Sequence, residues 1–289
     1  MIPSSLNYHK AGSVEEALDL LEKYGDDAKL LAGGHSLIPV LKLRLNDTEH
    51  LIDIGKIPEL KEIKEESGNI VIGAGVTHGA IVESDLIKEK LPIFSEGADL
   101  IGDVQVRNFG TIGGSIAHAD PASDWPAMML AVDATMHIQS KPGKGSGNEK
   151  REVKAEDFFM GLFTTDLAED EILTAISIPI PPAGTKNTYV KFMQPASRFS
   201  VVGCAAMITR NNGKCENVRL AFSGASAKPY RAKGAESILE GADYNDENIA
   251  AAIEKVTEGV SVLSDHFATE EYRAHLAKVY AKRALKALN

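Results

Sequence analysis

The chain has 289 residues, with 31 Lys plus Arg against 41 Asp plus Glu and a formal charge of −10. At about 150 residues per domain that length suggests roughly two domains, and 44% hydrophobic with 25% charged residues argues against disorder or a collagen-like chain. The acidic balance argues against a nucleic-acid binder, which neutralises phosphate with surplus Lys and Arg; a small phosphate-bearing ligand stays open, because backbone N–H groups can hold it.

Two cysteines, Cys204 and Cys215, are too few for a disulfide framework or a four-ligand metal site. They read as buried thiols of a reduced, cytoplasmic protein. The first residues lack the apolar stretch of a signal peptide, and no run approaches the roughly 20 apolar residues that span a bilayer.

In chain order, Ser13 and Glu16 form a capping-box pattern ahead of apolar residues at helical spacing, with Gly25 as the stop. Residues 28 to 32 read as a short buried strand running into Gly33-Gly34-His35-Ser36. Residues 37 to 45 then read as a helix with Ser36 near its cap and Pro39 in its first turn. Residues 50 to 54 are a second strand, which completes a small α/β unit. Residues 69 to 73 form another strand; Thr77 starts a helix, and 91 to 101 can form a second one. Trp125 opens a buried helix that reads as core, and 134 to 139 a strand. The Gly- and Lys-rich segment 141 to 149 reads as an exposed, mobile hairpin loop without chemistry. Pro179, Pro181 and Pro182 with Gly184 mark the clearest boundary. Beyond it come three strands at 188 to 192, 201 to 209 and 217 to 222, with Asn212-Gly213 turning the last two. Helices follow at 231 to 240, 246 to 263 and 269 to 288.

The two Gly-Gly segments, Ala32 to Ser36 and Thr111 to Ser115, share a physical logic. Glycine lets backbone approach a ligand closely, successive free N–H groups make an anion-binding concavity, and Ser36, Thr111 and Ser115 add hydroxyls. Two such segments facing each other could clamp a pyrophosphate without any Lys or Arg. The plain alternative is that each pair is only a tight turn. A Rossmann fingerprint fits poorly: Asp53 lies about 20 residues after Gly34, but the turn reads GGHSLI and a helix precedes the first strand.

The segments AGGHSLIP (32 to 39), TIGGSIAHADPASD (111 to 124) and EILTAISIP (171 to 179) resemble the FAD-binding medium subunit of molybdenum hydroxylases. That family includes the medium subunit of carbon monoxide dehydrogenase and the FAD domain of xanthine dehydrogenase. The resemblance covers nearly the whole chain. It implies an α+β protein: a two-part α/β FAD-binding domain of the PCMH-like type over residues 1 to 178 (subdomains 1 to 56 and 57 to 178), then a flavoprotein C-terminal domain over 179 to 289. The C-terminal part combines the three-stranded antiparallel sheet with a helical bundle. It also implies a noncovalent FAD. The first family loop maps to Leu30, Leu31, Ala32, Gly33, Gly34, His35, Ser36 and Leu37, and the second to Thr111, Ile112, Gly113, Gly114 and Ser115. Asp124, with Ser123 beside it, matches a position that contacts the flavin or its ribityl chain, although Asp124 reads equally as a cap of the helix after it. Leu173 matches a residue near the flavin ring, and Lys191 a lysine near it. Ile101 departs from the pattern, since xanthine dehydrogenases place a stacking Phe there. His35 and His118 read as polar loop residues, and Gln105 to Asn108 as surface loop from which Arg107 can face a partner.

The chain itself offers no catalytic residue, no metal ligands, no cysteine set for an iron–sulfur cluster and no molybdenum-cofactor motif. By resemblance it is one electron-transfer subunit. A large subunit would carry the molybdenum cofactor and oxidise the substrate, and a small subunit would pass electrons from 2Fe-2S clusters to FAD and on to an external acceptor. The assembly would be a doubled heterotrimer without nucleic acid or membrane span. A free-standing FAD-dependent oxidase or reductase, with a covalent His–flavin link as its mark, is the alternative; a cofactor-free scaffold is a third reading.

Overall fold

The computed structural model describes residues 2–145 and 149–289. Three larger sheets organise it, beside a two-stranded one of Phe159–Gly161 and Thr164–Thr165. The first lobe is a parallel sheet of Asn7–Lys10, His50–Asp53 and Ala28–Leu31, with His50–Asp53 in the middle. Helix Val14–Tyr24 covers it through Val14, Ala17, Leu18 and Leu21. Ser13 caps that helix as expected, its hydroxyl accepting from Glu16 N–H at 3.1 Å. The Glu16 carboxylate reaches back one residue further than in a capping box and accepts from Gly12 N–H at 2.7 Å.

The second lobe is a five-stranded sheet, antiparallel throughout, ordered Ile63–Glu66, Asn69–Gly73, Ile172–Pro179, Thr135–Gln139 and Lys150–Lys154. The segment 171 to 179 therefore returns to the sheet centre, and Ile172 at its start packs into the first lobe's core. The loop expected at 141 to 149 joins two paired strands; its residues 146 to 148 lie outside the described residues, and Lys141 and Lys144 are ion-paired to Asp19 and Glu22.

The third sheet runs Thr185–Met193, Ser200–Asn211, Lys214–Ser223 and Tyr230–Arg231. The expected three strands gain a fourth of two residues, pairing Ala221 with Arg231 and Phe222 with Tyr230. Asn212 and Gly213 both take positive φ (49° and 82°) in the turn, as a two-residue hairpin requires. Helices Lys233–Leu239, Asp246–Ile253 and Glu270–Ala287 pack on this sheet and share its core. Arg273 pins the last helix there, donating at 2.6 Å to the Val201 and Gly224 carbonyls.

Several helices differ from expectation for local reasons. The one expected over 37 to 45 stops at Lys42, because Arg44 takes φ 56° and Leu45 N–H reaches back to the Val40 carbonyl at 3.1 Å. That is a Schellman closure with Arg where Gly is usual. The helix expected from Thr77 breaks at Ser84, whose extended backbone ends His78–Glu83 and whose hydroxyl caps Asp85–Lys90. The helix expected over 246 to 263 ends at Ile253: beyond it, Val256, Glu258 and Val260 N–H groups bond three residues back, and Gly259 takes φ 73°. Gln105 to Asn108 is not surface loop but part of helix Val104–Phe109, capped by Asp103.

The boundary between the second lobe and the third sheet is not a boundary between cores. Trp125–Ala131, a helix buried on every side, shares one cluster with Tyr189, Ala205 and Ala221 of the third sheet.

Candidate functional site

The three sheets meet around a cleft of about 540 Å³, within the range of small-molecule sites. Strand Ala28–Leu31 delivers Ala32, Gly33, Gly34, His35 and Ser36 to one wall. Gly34 takes φ 75°, a conformation that favours glycine. Gly33 lies so close to residues 109 and 110 that a side chain there would overlap the Phe109 carbonyl. Ser36 precedes helix Leu37–Lys42 but makes no side-chain cap. Among the described residues, no group accepts from the N–H of Gly34, His35 or Ser36. This segment keeps free donors beside the cleft.

The opposite Gly-Gly segment behaves differently, and here the expected clamp needs correcting. Thr111 through Ser115 is the start of helix Ile112–His118, with Thr111 as its cap. Ile112 and Gly113 N–H groups donate to Val76 and Ala74 carbonyls (3.0 and 2.9 Å), Ser115 N–H to the Thr111 carbonyl (3.1 Å), and Gly114 N–H to Thr111 Oγ1 (3.1 Å). These amides are used inside the chain. Gly113 instead permits close packing, since a Cβ there would overlap Ala74. Gly114 faces the first segment: a Cβ on it would stand 3.9 Å from that of Ala32. The two segments do face each other, but the Ile112 to Ser115 amides of the second are already used, whereas those of Gly34 to Ser36 are not.

Of the remaining expected residues, Leu30, Leu37, Ile101, Ser123, Asp124 and Leu173 line the cleft. Ser115 and Ser123 hydroxyls share a hydrogen bond of 2.7 Å. Arg107, instead of facing outward, donates to the Asp99 and Ile101 carbonyls at 3.1 Å each and so fixes the turn carrying Ile101. His35 and His118 both reach the wall, set against Phe109 and Phe163 respectively. Leu31, Ile112 and Lys191 do not line it. Leu31 packs beside Gly34, Ile112 is in the core, and Lys191 lies behind Asp124.

Asp124 does not cap its helix. Its carboxylate is buried and accepts from Tyr189 Oη at 2.6 Å and Ser200 Oγ at 2.7 Å on Oδ1, and from Lys191 Nζ at 2.9 Å on Oδ2. Burial pushes the Tyr189 phenol well above its usual value, and the Asp124 charge adds to the rise. Burial pulls the Lys191 ammonium down, against the opposing pull of Asp124.

The sequence reading missed the turn at 197 to 199 between two strands of the third sheet. Ser197, Arg198 and Phe199 enter the cleft; Arg198 takes φ 64° and its carbonyl accepts from Lys191 Nζ at 2.6 Å. No local motif marks this turn. Lys29 and Arg198 are the Lys and Arg side chains on the wall, beside Asp120, Asp124, Glu169 and Glu171. Glu171 is paired to Arg151 at 2.6 Å, and its neighbour Glu169 is pushed up by the Asp26 carboxyl close to it.

Behind the wall, His78 accepts from Trp125 Nε1 at 3.1 Å. Burial, with His35 and Arg107 nearby, lowers its pKa from 6.5 to about 3. The unfolded chain therefore binds a proton that the folded one refuses between those values, and stability falls as pH falls through that window. His78 alone should cost about 2 kcal/mol at pH 5 relative to pH 7, at about 1.4 kcal/mol per unit below 6.5. Urea unfolding at both pH values, in the wild type and in His78→Gln, checks this: the acid loss should shrink in the variant, and an equal loss in both would absolve His78.

Comparison with known proteins adds to this geometry. A family profile described as the FAD binding domain in molybdopterin dehydrogenase matches residues 4–181, and one described as the CO dehydrogenase flavoprotein C-terminal domain matches residues 187–288. The carbon monoxide dehydrogenase medium chain of Hydrogenophaga pseudoflava is 38% identical over 287 residues, 99% of this chain and 98% of that one. The glyceraldehyde dehydrogenase medium chain of Sulfolobus acidocaldarius is 37% identical over 286 residues, 99% of each. The solved structure of the Hydrogenophaga pseudoflava carbon monoxide dehydrogenase that lacks the Mo-pyranopterin moiety superposes with a TM-score of 0.95 at 39% identity, covering 100% of this chain and 98% of that one.

Proposed function

The chain belongs to the family of FAD-binding subunits of molybdenum-dependent dehydrogenases, and from that premise we propose that its cleft holds a noncovalent FAD serving electron transfer within a multisubunit oxidoreductase. The observation that carries this reading is the first Gly-Gly segment: free N–H groups at Gly34, His35 and Ser36, at a backbone approach that a Cβ on Gly33 would block. Such donors suit a pyrophosphate. The cleft fits the rest of the cofactor in kind, with aliphatic walls at Ile101 and Leu173 for the ring and hydroxyls at Ser36, Ser115 and Ser123 for a polyol chain.

FAD held there would supply the redox chemistry, which on this reading would link 2Fe-2S clusters of a small partner subunit to an external acceptor. The protein's own work is binding and electrostatics. The Gly34 to Ser36 amides hold negative charge, Ile101 and Leu173 exclude water, and Asp124 offers a charge fixed from behind. A large partner subunit carries the molybdenum cofactor and chooses the substrate, and the assembly is a doubled heterotrimer. On this reading residues 1 to 178 form the cofactor domain and 179 to 289 the C-terminal domain. Among the described residues no His, Cys, Asp and Glu cluster of three or more is placed to hold a metal ion, and no helix is long and apolar enough to cross a membrane.

The test is an absorption spectrum of the purified chain before and after acid precipitation. A flavin spectrum whose chromophore appears in the supernatant as FAD is the expected result. Colour that stays with the pellet would point to a covalently flavinylated oxidase instead, and a colourless chain that takes up no added FAD would refute the reading. The FAD-loaded chain should not oxidise an aldehyde, a purine or carbon monoxide alone, and turnover by the isolated chain would overturn the subunit role.

A further inference from the structure

We propose that Lys191 and Tyr189 are positioning residues of the cofactor cleft: carried by the C-terminal sheet, they hold the Asp124 carboxylate in one orientation against a buried cation, and so set the charge that the cleft presents to the flavin. The proposal rests on the cleft being the FAD site. Lys191 itself is enclosed, its side chain 0% exposed, and does not reach the wall, whereas Asp124 does. Any influence of this lysine on a ligand passes through Asp124.

The arrangement is built for that carboxylate. All three side chains that donate to it, Tyr189, Lys191 and Ser200, come from the C-terminal sheet, although Asp124 belongs to the FAD lobe. One donor is a cation, and charge-assisted bonds of this kind are the stronger ones. Room for the Tyr189 hydroxyl exists only because residue 203 is glycine; a Cβ there would overlap it. Lys191 is steadied in turn by the Arg198 carbonyl. The other titratable and charged groups around Asp124 are accounted for. Arg198 opposes the charge of Lys191, the Asp120 carboxylate is engaged with Ala122 N–H at 2.9 Å, His78 is bonded to Trp125, and His118 stands on the cleft wall beside Phe163.

A buried carboxylate that loses its cation takes up a proton more readily. The experiment is Lys191→Met in the full chain, loaded with FAD, with flavin absorbance and midpoint potential followed from acid to mildly alkaline pH. The variant should gain one single-proton step in that profile which the wild type lacks, and bind FAD roughly tenfold more weakly, the scale of one good charged hydrogen bond. Lys191→Arg should restore the wild-type profile, and Lys191→Met combined with Asp124→Asn should abolish the step. If Lys191→Met lowers the melting temperature but leaves the flavin's pH profile and affinity unchanged, the pair is only structural and the proposal is wrong. Should that variant not fold, Tyr189→Phe keeps both charges and removes one donor; unaltered FAD affinity and flavin spectrum there overturn the proposal equally. A wild type that takes up no FAD refutes the FAD reading itself, which separates the two failures.

Discussion

Gly33→Ala should cost at least a hundredfold in FAD affinity, about 2.7 kcal/mol. The added methyl would lie 2.7 Å from the Phe109 carbonyl carbon and 2.8 Å from Gly110 Cα, and would overlap the Phe109 oxygen. These are backbone atoms, and no rotamer change can withdraw them. The segment must lift away from residues 109 and 110, taking its free N–H donors with it, and overpacking of this kind also costs about 1–3 kcal/mol of stability. Gly114→Ala is the informative control. Its methyl would meet the Thr111 Oγ1 cap at 2.8 Å, before Ala32 at 3.9 Å, so it strains a side chain and not the backbone of residues 109 and 110. Equilibrium dialysis with FAD should separate the two variants clearly. Gly33→Ala binding as tightly as wild type would show that the segment's seat against residues 109 and 110 is dispensable.

Asp124→Ala should remove about 3–5 kcal/mol of folding stability, the cost of breaking a buried ion pair by deleting one partner. The substitution strands the Lys191 ammonium, whose side chain is 0% exposed, and removes the acceptor of two buried hydroxyls. Adding Lys191→Met should recover part of the loss, because it removes the uncompensated charge and leaves only missing hydrogen bonds and volume. Denaturant midpoints of the single and double variants measure this directly. A loss below about 1 kcal/mol would mean that water reaches the lysine, as in an exposed pair.

How far these sites were legible depends on sequence distance. Ser13, Thr77 and Asn212-Gly213 announced their caps and turn because the partners lie within a few residues. The strands at 28 to 31, 69 to 73 and 135 to 139 showed themselves by apolar runs, but Asn7–Lys10 did not, since its burial pattern is almost wholly exposed. The glycines of both segments line the cleft, yet their surroundings differ. Whether Gly113 offers its N–H to a ligand depends on the Ala74 carbonyl, 39 positions earlier, which no local pattern reveals. The Asp124–Lys191 pair spans 67 positions, and the turn at 197 to 199 enters the cleft only because two sheets come together. Family resemblance brought Lys191 to notice; its place behind Asp124 needed three dimensions.

The helix Trp125–Ala131 lies inside a cluster to which Tyr189, Ala205 and Ala221 contribute from the third sheet, and this bears on how such chains can be recombined. The profile matches cut the chain after residue 181 and resume at 187, which invites treating the halves as exchangeable parts. The halves share one core and a buried ion pair. A C-terminal half taken from a relative brings along one side of the FAD lobe's core, the lysine that neutralises Asp124 and the turn that closes the cleft. Descent should therefore favour passing both halves on together, with compensating changes paired across the junction at Asp124 and Lys191.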